Sequence, residues 1–171
     1  MPAFDKLDWS RFDVFALIVG RGIAAVEQAS AHRCEDWLRR HDYRVVTLAF
    51  ARGIGPVVVQ LGEMLAWRRR FGYELTAESR NLMALHDGFI DIDVEANGAV
   101  AFVLQDFSRA WQEDESWSLG FLGIVAEHSL RQLALGRRLL AVLVVTNEAD
   151  PLIDQPIGQL RGPAFFGRVF D

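Results

Sequence analysis

Apolar residues fall along the chain in short runs separated by glycine and charge, and the spacing within the runs changes along the sequence. Val14 to Val19 is a continuous apolar run closed by Gly20-Arg21-Gly22, and it reads as a buried strand. Ile23 to Val26 fits either a second short strand or the start of a helix. From residue 30 to 41 the spacing turns helical, with Cys34, Trp37 and Leu38 on one face and Ser30 placed to cap the first turn. Arg44 to Phe50 (RVVTLAF) is enriched in β-branched residues and predicts a strand.

Gly53-Ile54-Gly55-Pro56 predicts a turn, with Pro56 at the first position of the next helix. Val57, Leu61, Met64, Leu65 and Trp67 give that helix an apolar face. Arg68, Arg69 and Arg70 lie at its C-terminal end, where the helix dipole favours cations, and Gly72 stops it. A second helix is expected over Ala77 to Asp87, then a strand over Ala99 to Leu104 and an acidic loop through Ser116. Ser118 caps a long helix ending at Gly136, with Glu127 and Arg131 paired at i, i+4 on its outer side. Arg138 to Thr146 carries LLAVLVV, a run suited to a central strand buried on both faces. Residues 147–171, rich in Pro and Gly, read as an irregular tail. Strands joined by helices in this order predict an α/β domain with a mainly parallel sheet of three to four strands.

Composition narrows the class. A chain of 171 residues, 51% apolar with a mean hydropathy of +0.12, suits one domain spanning 1–171 with a core of its own. The single cysteine, Cys34, excludes an internal disulfide framework and suits a reducing, cytoplasmic setting. No apolar run approaches the ~18 residues of a membrane span. Met1 to Asp8 is mixed in charge and unlike a signal peptide. The net charge is −5, and the surplus is concentrated: ten acids lie between Glu74 and Glu115, opposed only by Arg80 and Arg109. An acidic surface repels nucleic acid and attracts basic partners.

Catalytic signals are weak. Gly20-Arg21-Gly22-Ile23-Ala24-Ala25 follows a predicted strand in the pattern G-x-G-x-x-A, which a dinucleotide-binding turn would use, and Arg52 could suit a 2′-phosphate. The acid expected at the end of the second strand is missing, so nucleotide binding through Gly20 to Gly22 stands as the alternative reading. His32, Cys34 and His41 offer at most three ligands where structural zinc takes four. Adjacent residues such as His86 and Asp87 point about 100° apart on a helix and do not make a base with its orienter. No serine or cysteine sits in a nucleophile elbow. Binding without catalysis, cofactor or metal is therefore the expectation.

On a helix, Leu82, Leu85 and Phe89 of the segment Arg80 to Ile92 (RNLMALHDGFIDI) face inward. Met83 and Asp87 fall one turn apart on another side, with Arg80 beside them and His86 between the two groups. A large apolar side chain beside a carboxylate makes a plausible contact surface. Asn81-Leu82-Met83-Ala84-Leu85-His86-Asp87, preceded by Phe71-Gly72-Tyr73, resembles the signature of the barstar family, the intracellular inhibitors of secreted bacterial ribonucleases. Arg44 to Phe50 with the following helix, Phe102 to Phe107, and the 118–136 helix with Leu139 to Val145 are similar to that family's other elements in order. The resemblance covers residues 43–146. It makes 13–42 an added N-terminal β-α unit and 147–171 a tail.

The resemblance implies a protein that is not an enzyme and that blocks the basic active site of a cognate toxin, a nuclease, with carboxylates in place of substrate phosphates. By position it implies contacts from Asp87, His86, Met83 and the aromatics Tyr73 and Phe71. Met83 stands where the family has its first aspartate, and Arg131 near the place of its closing-helix acid. Asp91 and Asp93 are the nearby carboxylates that would compensate, giving an immunity-type protein of shifted specificity.

Overall fold

A computed structural model describes residues 11–90, 92, 94, 98–154, 156, 157 and 163–166. Among them, five parallel strands form one sheet: β1 (Ile23–Glu27), β2 (Tyr43–Ala49), β3 (Ala99–Gln105), β4 (Arg138–Val145) and β5 (Ala164–Phe166), in the spatial order β2-β3-β4-β1-β5. Helices α1 (Phe12–Ile18) and α2 (Ala31–Arg40) cover one face. The other face carries α3 (Ile54–Met64), α4 (Trp67–Phe71), α5 (Leu82–Ile90), α6 (Phe107–Glu113) and α7 (Glu115–Ala134).

The faces follow from the strand order. β2, β3 and β4 step one way across the sheet, and every helix between them packs on one side. The β1-to-β2 connection runs the opposite way, so a crossover of the same hand places α2 on the other side. Strand pleating then divides the core. Val100, Phe102 and Leu104 of β3 face the α3–α7 layer, while Ala99, Ala101 and Val103 face α1 and α2. β3 and β4 are buried almost throughout, as their unbroken apolar runs require.

Several expectations change. Val14 to Val19 belongs to α1 rather than to a strand, so the N-terminal unit is α-β-α and its strand is Ile23–Glu27. A continuous apolar run is ambiguous by period alone. Here Phe12, Val14, Ala16 and Leu17 are buried, while Phe15, Ile18 and Val19 stay exposed at i, i+3 and i+4. The sheet has five strands rather than three to four, because residues 164–166 of the expected tail pair with β1. The helix expected through residue 70 breaks at Ala66, which sits in the left-handed region. The helix expected from Ala77 begins at Leu82.

The acidic loop folds as α6, and its carboxylates are used locally. Asp114, not Ser118, caps α7 by accepting from the Trp117 N–H at 2.9 Å. Glu113 accepts from the Ile54 N–H at 3.0 Å, at the start of α3, and from Arg80 at 2.6 Å. Glu113→Ala removes both, and we expect a loss of about 1–2 kcal/mol in urea unfolding. A loss below a few tenths would assign α3's first turn to solvent instead.

Candidate functional site

Helix α5 is set by its two ends and its inner face. The Asn81 side chain accepts from the Ala84 N–H at 3.1 Å and caps the first turn. At the other end Arg70 donates to the carbonyls of Gly88, at 2.7 Å, and Asp87, at 3.5 Å. Leu85 and Phe89 are buried, and α5 packs mainly on α7. Two glycines allow the close approach: a β-carbon on Gly88 would lie 2.5 Å from Cζ3 of Trp67, and one on Gly120 of α7 would lie 2.3 Å from Cδ1 of Leu82.

The outer face is mixed, as its sequence pattern predicts. Met83 is 72% exposed and the Asp87 side chain 61% exposed. Ile90, half-exposed, extends the row by three residues and was not anticipated. Arg80 does not join this face, because it lies before the helix and pairs with Glu113. Phe71 and Tyr73 come together, with ring centroids 6.5 Å apart, and both rings contact Trp67. The Arg70 guanidinium lies 5.1 Å from the Phe71 ring centroid, which ties this aromatic pair to the C-terminal end of α5. Asp91 and Asp93 lie outside the described residues.

His86 turns from this face toward α7. Its Nε2 is 3.2 Å from a Glu127 oxygen, and its Nδ1 is 3.9 Å from Asp87, beyond hydrogen-bond reach. Glu127 also accepts from Arg131 at 2.6 Å. The hydrogen bond from His86 holds the Glu127 carboxyl below its ordinary range, with the charges of His86 and Arg131 adding to it. Glu127 is therefore a neighbour of the candidate face that the sequence pattern missed. Its exposure on α7 was legible, but its place beside α5 depends on long-range packing.

The other candidate chemistry disperses. His32 pairs with Asp36 at 3.0 Å, and His41 stacks on Trp37 at 3.6 Å between centroids. Cys34 is buried, and burial pushes its thiol up to about 12. Among the described residues no group of three or more His, Cys, Asp or Glu is placed to hold a metal ion. No described helix is long and apolar enough to cross a membrane.

The Gly20 to Gly22 turn leads from α1 into β1, so it opens a strand rather than following one. A β-carbon on Gly22 would lie 2.1 Å from the Ser129 hydroxyl oxygen. The space that a pyrophosphate would need beside that glycine is filled by protein. A groove of about 640 Å³ lies elsewhere, bordered by Val59, Glu63, Trp67, Arg68 and Glu74, and takes no residue from this turn.

Compared with known proteins, the chain matches no family model, no curated protein and no solved structure.

Proposed function

We propose that this chain is a barstar-like inhibitor, an immunity protein acting in the cytoplasm, which neutralises a basic nuclease toxin by laying α5 against the toxin's active site. The observation that carries this reading is the exposed Met83–Asp87–Ile90 row on α5 with the Glu127 carboxylate next to it on α7. Carboxylates framed by exposed apolar side chains suit a cationic cleft: the apolar contacts exclude water, and the charges steer the approach. Glu127 lies one turn before Arg131, so it returns an acid to the region where the resemblance finds a cation. The contiguous strands β2-β3-β4, with α3–α7 on one side, keep the element order that the resemblance implies.

The test begins with capture of the partner by the tagged chain from cells of its source. Added chain must then suppress the captured protein's nuclease activity. We expect Asp87→Ala to weaken the complex at least ~30-fold, the size of a contact hot spot of about 2 kcal/mol. Asp36→Ala, on α2 across the sheet, should leave binding unchanged. Salt should slow association more than it speeds dissociation. A partner with no nuclease activity, or equal effects from the two substitutions, would reject the reading.

A further inference from the structure

Behind the outer row, α5 and α7 bring two imidazoles together. His128 is 1% exposed, and its ring lies 4.8 Å from that of His86 and 5.8 Å from that of Phe89. Neither nitrogen of His128 has a hydrogen-bond partner among the described residues. In its neutral form the ring packs as a flat, weakly polar plate. A proton would turn it into a buried cation that the His86 backbone and the Glu127 carboxylate relieve only in part.

The charged groups around the imidazole pair give that cation little relief. On α7, Glu127 is already held by His86 and Arg131, and Arg131 is itself a cation. On α5, Asp87 is solvent-facing, and from α4 Arg70 places a further guanidinium at the helix end. The principal contact of α5 is with α7, so this seam is where the helix would part from the rest of the fold.

We propose that the His128–His86 contact is an acid-operated latch, in which protonation of His128 opens the α5–α7 seam and releases α5 while the sheet stays folded. The latch involves the helix assigned above to partner contact but does not depend on what binds there.

The sign follows from linkage. Burial, helped by the charges of His86 and Arg131, lowers His128 from 6.5 to about 4. Between those values the opened form binds more protons than the closed one. The closed seam is therefore fully favoured above 6.5 and weakens as the pH falls toward 4. At about pH 5 the closed-to-open ratio drops roughly 30-fold relative to about pH 7.5.

Hydrogen–deuterium exchange on the whole chain at those two pH values, corrected for intrinsic chemical exchange, tests the latch. In the wild type, opening of the amides of residues 82–90 should rise by about 30-fold while β3 and β4 keep their protection. In His128→Phe that rise should vanish, and His128→Leu serves if the larger ring does not pack. Undiminished protection of α5 at the lower pH would overturn the proposal. So would joint loss of protection in α5 and β4, or an acid response that persists in either folded variant. If neither variant folds, the wild-type pattern alone decides, since only selective opening of α5 supports the latch.

Discussion

Asp13→Ala is expected to cost about 3–5 kcal/mol and to lower the melting temperature by roughly 10 °C, because it strips a shared carboxylate from a buried cluster of donors. Asp13 is fully buried in α1 and accepts from the Tyr43 hydroxyl at 2.7 Å and from Arg11 at 2.8 Å. Arg138 lies 3.4 Å from the same oxygen, and its guanidinium sits 4.8 Å from the centroid of the Tyr43 ring. Tyr43 begins β2 and Arg138 begins β4, so one side chain fastens α1 to two strands. Burial first, and the Asp13 carboxylate next, hold the Tyr43 phenol well above its ordinary pKa. Without Asp13, the Tyr43 phenol and the Arg138 guanidinium lose this acceptor together, and Arg11 loses one of its contacts. Tyr43→Phe should cost only about 1 kcal/mol, since it removes a donor and leaves the carboxylate with its arginines. Asp13→Asn should fall between the two, keeping an acceptor oxygen but not the charge. Urea unfolding of the three variants measures this order. A loss under about 1 kcal/mol for Asp13→Ala would mean that water reaches the arginines and that the cluster holds nothing together.

This cluster also marks where sequence reasoning stopped. Asp13 next to the run Val14 to Val19 resembles a charge at the mouth of a strand. Only the partners at Tyr43 and Arg138, distant in sequence, make it a buried helical residue. The strands β2, β3 and β4 were legible because β-branched and unbroken apolar runs of that length have few other uses. β5 was not legible, since three residues in a Pro/Gly-rich stretch carry too little pattern. The acidic surplus from Glu74 to Glu115 was legible as charge, but the local use of its described carboxylates was not. Glu113 and Asp114 cap helices, and Glu74 pairs with Arg68, so they do not contribute to a single acidic face. At the candidate site, Met83 and Asp87 were legible because i, i+4 spacing is local. Glu127 and His128 depended on how closely Gly120 lets α5 approach α7, and no local pattern encodes that approach.

Gly22→Ala tests the turn that carries the alternative nucleotide reading, and we expect a loss of about 3 kcal/mol with no change in nucleotide affinity. Two costs combine. Gly22 has φ of +84°, a conformation that costs a side-chain-bearing residue roughly 1–2 kcal/mol. The added carbon would also lie 2.1 Å from the Ser129 hydroxyl oxygen and 3.0 Å from the Leu139 carbonyl oxygen. Ser129 cannot easily yield, since it is fully buried and donates to that same carbonyl at 2.7 Å. The backbone is held as well: the Gly22 N–H donates to Ala16 at 2.9 Å, and its carbonyl accepts from Ala141 at 2.7 Å, the first link between this turn and β4. Removing the obstruction should reveal the two costs separately. In Ser129→Gly the overlap with the serine side chain disappears, so adding Gly22→Ala to that background should cost only the backbone strain and the close approach to the Leu139 carbonyl. The difference between the two backgrounds measures the steric cost of meeting Ser129 directly. If Gly22→Ala proves neutral in stability but weakens nucleotide binding, the turn serves a ligand after all. If it costs the same in both backgrounds, the left-handed backbone and the Leu139 carbonyl, not Ser129, explain why a glycine stands there.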